Sequence, residues 1–266
     1  MIDIHSHIIP YVDDGAQSWD EAIELLRQGE QAGVEAVVAT PHILAESDYE
    51  KVESDIISKF GKLRDKARAA GIKMEMYLGC EIYIQPDMTL THKISTFNNN
   101  ELYFLVEFPM SSIPKFAAEK FFTYIVEGKL PIIAHPERNA GFIERRHLAY
   151  EFVQRGALMQ VNASSLLGRH GNEVRETALN LVEHNLVHFV ASDCHGLNHR
   201  TMKSLATAYE LVCDQFGVDT ANRLFKINPL KVIQGEKIDT AEPVPMRTQT
   251  NNSFWQKMGD LIRSHS

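Results

Sequence analysis

The chain has 266 residues, is 44% hydrophobic, and carries a formal net charge of −8 from 27 Lys and Arg against 35 Asp and Glu. This acidic balance argues against a nucleic-acid partner, which would need a basic surface, but a metal cluster would still attract an anionic substrate. Three scattered cysteines exclude a disulfide framework. No apolar run approaches the ~20 residues of a membrane span and no secretory signal opens the chain, so we expect a cytoplasmic protein.

Short apolar segments alternate with helical patterns along most of the chain. The predicted strands are the opening segment and residues 34–39, 74–78, 103–106, 131–134, 158–161 and 187–191. Capping boxes at Ser18–Glu21 and Ser47–Glu50 predict the first two helices. Further helices are predicted from Pro114 to Gly128, up to Gly156, and over 173–183, 201–216 and 220–226.

This alternation predicts an α/β fold with a parallel sheet covered by helices. Length and uniform composition favour one closed or nearly closed barrel, with a doubly wound open sheet as the alternative. A full (β/α) barrel has eight strands, one more than the seven counted here.

The composition of the chain becomes polar from about residue 236 onward. We predict one catalytic barrel over residues 1–235, and a polar linker plus a short amphipathic helix over residues 236–266. The helix would begin near Ser253 and carry one apolar face, formed by Phe254, Trp255, Met258, Leu261 and Ile262. We expect this face to pack on the barrel or on another subunit; the alternative is docking to a partner or a membrane surface.

Residues of metal-ligand type follow the predicted strands. His5 and His7 alternate with apolar residues in the opening strand, so their imidazoles point the same way. The carboxyl ends of parallel barrel strands share one face, where active sites form. The residues expected at that face are His5, His7, His42, Glu81, Glu107, His135, Asp193 and His195, with Asp14 in the first loop. Because all offer nitrogen or carboxylate oxygen, the pattern predicts a polynuclear metal site.

Two arginines stand beside these residues: Arg138 follows His135 by three positions, and Arg200 follows His195 by five. A guanidinium fork matches phosphate oxygens, so the pattern indicates a phosphate ester as substrate. Bound metals would lower the pKa of water from ~15.7 toward ~7, making hydroxide available for in-line attack on phosphorus. His199 is a weak candidate for a general acid.

Cys194 and Arg200 also form the Cys-x5-Arg spacing of cysteine-dependent phosphatases. Asp193 and His195 flank this cysteine, however, and a neighbouring carboxylate disfavours the thiolate that such catalysis needs. We therefore expect metal-dependent rather than cysteine-dependent chemistry.

Several sequence blocks resemble a known family. They are Ile-Asp-Ile-His-Ser-His, Asp-Asp-Gly, Ala-Thr-Pro-His, Gly-Cys-Glu-Ile-Tyr, Val-Glu-Phe, Ala-His-Pro-Glu-Arg, Gln-Val-Asn-Ala-Ser-Ser and Ala-Ser-Asp-Cys-His. Together they resemble the polymerase-and-histidinol-phosphatase (PHP) superfamily. Within it, they are similar to the manganese-dependent protein-tyrosine phosphatases encoded with bacterial capsule and exopolysaccharide genes. The resemblance runs in order from residue 1 to about residue 235.

The resemblance implies a distorted TIM-like (β/α)7 barrel with up to three divalent metals, normally Mn²⁺, although Fe or Zn also suits such ligands. It implies metal ligation by the nine residues above and phosphate contacts by Arg138 and Arg200. The implied substrate is the phosphotyrosine tail of a membrane-associated bacterial tyrosine kinase; the oligomeric state is left open. The rival interpretations are a small-molecule phosphatase acting on histidinol phosphate and a non-catalytic docking module with the same barrel.

Overall fold

A computed structural model describes residues 1–198 and 200–246 of the chain. Every strand pair in it is parallel. The strands are β1 (Ile2–Ser6), β2 (Ala36–Ala39), β3 (His42–Ile43), β4 (Glu75–Leu78), β5 (Glu81–Tyr83), β6 (Tyr103–Glu107), β7 (Leu130–Ala134), β8 (Leu158–Asn162) and β9 (Phe189–Ala191).

These short strands form seven staves around a common interior. The paired orders are β1-β2-β4 and β3-β5-β6-β7-β8-β9. Only Thr40-Pro41 separates β2 from β3, and only Gly79-Cys80 separates β4 from β5, so each of these pairs is one interrupted stave. Hydrogen bonds from Asp193 N to His5 O (2.9 Å) and from His7 N to Cys194 O (2.8 Å) join the last stave to the first. This consecutive order belongs to a barrel, not to a doubly wound sheet.

Helices follow most of the strands. They are α1 (Trp19–Gln31), α2 (Glu46–Ala69), α3 (Ala117–Val126), α4 (Ala140–Glu144), α5 (His147–Gln154), α6 (Ala163–Leu166), α7 (Asn172–Glu183), α8 (Ser204–Phe216), α9 (Val218–Asn222) and α10 (Asn228–Gln234). Short 3-10 segments lie at Phe97–Asn99 and Pro136–Arg138, and a π-helical turn lies at Arg223–Ile227.

The predicted start of α1 is confirmed, because Ser18 Oγ accepts a hydrogen bond from Glu21 N at 3.1 Å. The predicted cap of α2 is wrong. That helix begins one residue before Ser47, and the Asp48 carboxylate accepts from Ala45 N at 3.0 Å. A carboxylate at the third helical position therefore caps α2 instead of a serine hydroxyl.

The barrel interior is apolar at its amino end. Ile4, Val38, Leu105 and Phe189 meet there and pack with Val232 and Ile233 of α10. Asn100, just before β6, donates to Val232 O at 2.6 Å, which holds α10 at this end. A larger apolar layer lies between the staves and the surrounding helices. The amino end of the barrel is thus closed by α10.

The segment after α10 contacts the barrel although it is polar in sequence. Ile238 packs on the interior cluster, Val244 N donates to His184 O at 2.8 Å, and Met246 is buried. The division of the chain at residue 235 stays a prediction. The amphipathic helix predicted after Ser253, together with its apolar face, lies outside the described residues.

Within the part of the chain that the structure describes, no helix combines the length and the apolar composition needed to cross a membrane.

Candidate active site

The nine predicted metal-ligand residues converge at the carboxyl end of the barrel. Seven of them form three overlapping groups whose ligand atoms lie within 4.8 Å of one another: His7, Asp14, His42 and His195; His5, His7 and Glu81; and His42, Glu81 and Glu107. His135 and Asp193 stand beside these groups and contact their members. The structure thus brings the predicted strand-end residues together at one rim, and their role as metal ligands stays a prediction.

His5 and His7 face each other across 3.2 Å between their Nε2 atoms. Strict alternation along β1 would point His5 and Ile4 to opposite faces. Ile4 nevertheless belongs to the interior core, and the His5 ring reaches Gln160 of β8, two staves away inside the barrel. The pairing of β1 with β2 shifts register between Asp3 and Ser6. Such an irregularity re-aims a side chain, and here it lets both types of residue face inward.

Glu81 is the centre of the cluster. Its Oε2 atom lies 3.1 Å from His5 Nε2, 3.3 Å from His7 Nε2 and 3.1 Å from His42 Nδ1. Its Oε1 atom lies 3.1 Å from His135 Nε2. Burial alone would raise the pKa of this carboxyl, but the surrounding imidazoles hold it well below its ordinary range. Glu81 is therefore an ionised carboxylate in the barrel interior, as a metal ligand must be.

Asp193 forms the opposite wall of the cluster. Its Oδ1 atom lies 3.6 Å from His5 Nε2, and its Oδ2 atom accepts from Arg138 Nη1 and Arg200 Nη1, each at 3.1 Å. Burial opposes ionisation of the carboxyl, but these neighbours, led by His5, keep its pKa well below the usual value. The two predicted phosphate-binding arginines are thus held side by side, at the edge of the cluster, by one predicted ligand.

The remaining predicted ligands complete the outer side. Asp14 Oδ1 lies 3.2 Å from His195 Nε2 and 3.5 Å from His42 Nε2. Glu107 lies 3.6 Å from His135 Nε2 and 3.9 Å from His42 Nδ1. Burial, followed by the charge of Glu81, raises the pKa of Glu107. Burial also lowers the pKa of His42, which favours the neutral imidazole that binds metals.

The donor atoms fit divalent cations. Polar atoms lie close to three buried atoms of the cluster, but among the described residues none makes a well-directed hydrogen bond to them; these atoms are His42 Nδ1, Glu81 Oε2 and His195 Nε2. Buried polar atoms without a partner are costly, and a cation shared among them would remove that cost. All the donors are imidazole nitrogens or carboxylate oxygens, a set that suits Mn, Fe or Zn.

A proton and a metal cation would compete for the imidazole of His7. Burial disfavours its charged form, but Asp13 and Glu81 outweigh burial and raise the pKa of the imidazole to about 10. Asp13 Oδ2 lies 2.7 Å from His7 Nδ1 and also accepts from His42 N at 3.1 Å. A cation binding at the Nε2 side would replace a proton, so loading of the site would release protons.

Sequence reasoning missed the residues that orient these side chains. Asp13 adjoins the predicted ligand Asp14, and only the fold shows that it is the one that holds His7. Gln160 Oε1 lies 2.7 Å from His5 Nδ1, and Gln160 and Asn162 both lie on β8, whose end carries no ligand type. The signal for them was the polar pair at alternate positions of an otherwise apolar strand, which places both side chains inside the barrel.

His170 is a further residue that the sequence did not single out. Its Nε2 atom lies 3.0 Å from Ser164 Oγ, and burial followed by the charges of Arg138 and Arg200 lowers its pKa to about 4. The imidazole next to the arginine pair is therefore neutral near pH 7.

Cys194 does not face the cluster. It is fully buried in the apolar layer between staves and helices, and burial raises the pKa of its thiol to about 12. A protonated, inaccessible thiol cannot attack phosphorus, which removes the physical basis for the cysteine-dependent alternative. The candidate acid His199 lies outside the described residues.

A family model described as capsular polysaccharide synthesis, CpsB/CapC, matches residues 1–234 of the chain. The chain belongs to the CpsB/CapC family. Among its relatives, CapC of Staphylococcus aureus is 40% identical over 205 residues, which is 75% of this chain and 79% of CapC. The tyrosine-protein phosphatase YwqE of Bacillus subtilis is 32% identical over 257 residues, covering 96% of this chain and all of YwqE.

A solved structure also matches within this family. It comes from work on YwqE of Bacillus subtilis and CpsB of Streptococcus pneumoniae, described as metal-dependent tyrosine phosphatases. It superposes with a TM-score of 0.87 at 31% identity, over 93% of this chain and 100% of that chain. A lactonase from Listeria monocytogenes, at 11% identity and a TM-score of 0.55, shares the fold alone. The predicted TIM-like fold and the family resemblance read from the sequence blocks are confirmed.

Proposed function

We propose that this chain is a metal-dependent protein-tyrosine phosphatase that acts in capsular polysaccharide synthesis. The observation that carries the proposal is the meeting of nine nitrogen and oxygen ligands with two arginines at the open end of the barrel. The CpsB/CapC relatives, which include tyrosine-protein phosphatases, support the same activity.

The proposed ligands are His5, His7, Asp14, His42, Glu81, Glu107, His135, Asp193 and His195. Their three overlapping groups would hold up to three divalent cations, and we propose Mn²⁺ as the resident metal. Bound cations would supply Lewis acidity and lower the pKa of bound water from ~15.7 toward ~7.

Arg138 and Arg200 would bind the phosphoryl group of the substrate. Each guanidinium has five N–H donors, and in each only Nη1 is engaged at close range by Asp193, so further donors can point to phosphate oxygens. Asp193 holds both guanidinium groups in place and partly balances their positive charge. In this position the arginines stabilise the charge on the equatorial oxygens during transfer.

Tyrosine esters suit a site of this kind. The phenol of tyrosine has an ordinary pKa of about 10, so its phenolate is a better leaving group than an alkoxide. Hydrolysis of its phosphate ester therefore depends less on protonation by a general acid. Exposed apolar residues also lie at the carboxyl end: Tyr11 follows β1, Leu44 follows β3 and Met110 follows β6. Such a rim favours a polypeptide substrate over a small polar molecule such as histidinol phosphate.

We further propose that the substrate is the phosphotyrosine tail of a bacterial tyrosine kinase and that the reaction takes place in the cytoplasm. The apolar rim and the anion-binding arginines support a phosphorylated polypeptide.

The test uses the full chain. Purified protein is analysed for metals, stripped with a chelator and reloaded with Mn²⁺, Fe²⁺ or Zn²⁺, and assayed with a phosphotyrosine peptide, a phosphoserine peptide and histidinol phosphate. We expect two or three metals per chain, loss of activity on stripping, recovery with Mn²⁺, and preference for the phosphotyrosine peptide. Preference for histidinol phosphate, or activity indifferent to metal, would contradict the proposal.

A further inference from the structure

A groove beside the proposed metal cluster is not used by the chemistry described so far. It has a volume of ≈390 Å³ and lies between the loop after β1, the end of β3 and the first half of α2. Its lining residues are Val12, Asp13, Asp14, His42, Leu44, Asp48, Val52 and Ile56. Two of these, Asp14 and His42, belong to one of the candidate metal groups, so the groove opens directly onto the cluster.

The far side of the groove is apolar. Val12 and Val52 are half-buried, Leu44 is 57% exposed, and Ile56 is buried beneath them. Among the described residues that line it, none is a lysine or arginine, whereas three are aspartates. An anionic group would be repelled there, while an uncharged flat group would cover exposed apolar surface.

Asp14 lies between the groove and the two arginines that we propose bind phosphate. Arg200 Nη2 lies 4.0 Å from Asp14 Oδ2, and Arg200 also contacts Asp193 beside Arg138. A phosphoryl group held by the two arginines would therefore place its ester substituent next to the groove entrance. The occupant of the groove is then the organic part of the phosphate ester itself.

The groove is large enough for an aromatic ring. A cavity of about 150 Å³ lined by aliphatic side chains accommodates benzene, and this groove is larger and open on one side. Outside the groove, Lys59 donates from Nζ to Tyr11 O at 3.0 Å and so ties α2 to the loop after β1, the two elements between which the groove lies. A preformed apolar slot of this kind selects ligands by shape and polarity.

We propose that this groove receives the phenyl ring of a phosphotyrosyl residue, and that Leu44 and Val52 determine the preference for aryl over alkyl phosphate esters. The proposal rests on the phosphatase function proposed above. It deepens that function, because it assigns tyrosine selectivity to two residues that bind neither metal nor phosphate.

The test compares Leu44→Ser and Val52→Ser with Leu230→Ser, a matched change at a partly exposed leucine of α10 at the other end of the barrel. Mn²⁺-loaded full chains are assayed with phenyl phosphate and glycerol 2-phosphate. Inhibition by phenylphosphonate, methylphosphonate and inorganic phosphate is measured in parallel, since it reports binding without turnover.

We expect both groove variants to lose about tenfold in kcat/KM for phenyl phosphate and in affinity for phenylphosphonate, a typical effect of removing apolar contacts in a pocket. Values for glycerol 2-phosphate, methylphosphonate and inorganic phosphate should stay within about twofold of the parent, as should all values for Leu230→Ser. Melting curves separate these effects from unfolding, and Leu44→Ala serves as a milder variant.

Two results would overturn the assignment. One is an equal loss for aryl and alkyl compounds. The other is unchanged phenylphosphonate inhibition together with weakened binding of phosphotyrosine peptides, which would show that a flanking side chain of the peptide occupies the groove. A parent chain that binds inorganic phosphate but hydrolyses neither ester would instead contradict the phosphatase function itself.

Discussion

The Nδ1 atom of His5 lies 2.7 Å from the Oε1 atom of Gln160, and this contact determines which ring nitrogen of the histidine donates. The ionised Asp193 can only accept, so Asn162 donates to it from Nδ2 at 2.8 Å. The Asn162 oxygen then accepts from Gln160 Nε2 at 2.8 Å, which turns the Gln160 oxygen toward His5. His5 therefore donates from Nδ1 and presents the lone pair of Nε2 to the cluster.

We expect Gln160→Met to weaken metal binding by about 10–100-fold, the usual effect of removing the group that orients a ligand. Metal affinity is measured by competition with a chromogenic chelator. In Gln160→Glu the acceptor for His5 is kept and only the donor to Asn162 is lost, so its affinity should lie nearer the parent value. Unchanged affinity in Gln160→Met would contradict the relay.

Gly15 packs directly against the backbone of His7. A Cβ atom at this position would lie 1.9 Å from His7 O and 2.6 Å from His7 Cβ, so the backbone cannot accept a side chain without moving His7. We expect Gly15→Ala to lower metal occupancy and phosphatase activity at least about tenfold, since small displacements at a preorganised site are costly.

The control for this change is Gly61→Ala, in the middle of α2. A Cβ atom at Gly61 meets nothing within 4 Å. Alanine is favoured over glycine inside a helix by about 0.5–1 kcal/mol, so this variant should gain a little stability and keep full activity. Metal analysis and denaturant unfolding of both variants check the prediction; equal behaviour of the two would exclude a special role for Gly15.

We expect Arg138 and Arg200 to contribute to phosphate binding and not to metal binding. We expect Arg138→Met and Arg200→Met to weaken inhibition by inorganic phosphate and to lower kcat/KM by about 10²–10³-fold, as for loss of a donor to transition-state charge. Metal content should stay at the parent level. Arg68→Met, at a largely exposed arginine of α2, serves as the control. Loss of metal with unchanged phosphate inhibition would reverse the assignment.

His188 should govern part of the acid sensitivity of the fold. Burial lowers the pKa of this imidazole to about 3, and its Nδ1 atom accepts from Met159 N at 3.1 Å. Its ordinary value is about 6.5, so between pH 6.5 and 3 only the unfolded chain binds this proton. Stability should therefore fall as pH drops through this range, by up to about 1.4 kcal/mol per pH unit from this residue alone.

In His188→Asn an amide oxygen replaces the Nδ1 acceptor and the titration is lost. The free energy of unfolding at pH 7 should drop modestly, and its decline between pH 6.5 and 5 should be shallower than in the parent. Urea unfolding at several pH values measures both slopes. Parallel slopes would show that other groups dominate the acid response.

The meeting of residues of metal-ligand type at one rim could be predicted from sequence, because it follows from chain order alone. A polar residue at the end of each apolar strand must meet its counterparts once the strands are parallel. His42, Glu81, Glu107 and His135 were found in this way. The orienting residues could not be predicted, because Gln160 and His5 lie 155 residues apart in sequence and meet only when the barrel closes.

Local backbone features were also out of reach of sequence patterns. His135 and Asp193 adopt left-handed φ values of 31° and 50°, which few non-glycine residues do. The stave of β2 continues as β3 beyond Thr40-Pro41, although the sequence predicts that this strand ends at residue 39. The groove beside α2 depends on how that helix packs against the first loop, a tertiary contact that no periodicity encodes.

The sealed amino end of the barrel, where Val232 and Ile233 pack against the interior side chains, dictates the order of events at the site. In the part of the chain that the structure describes, ions, ester and products would then reach the site from the other end. Cations would load before the phosphorylated chain arrives and would be enclosed while it stays. A slowly departing phosphate ion would protect the metals from chelators, so chelation during turnover should be slower than chelation at rest.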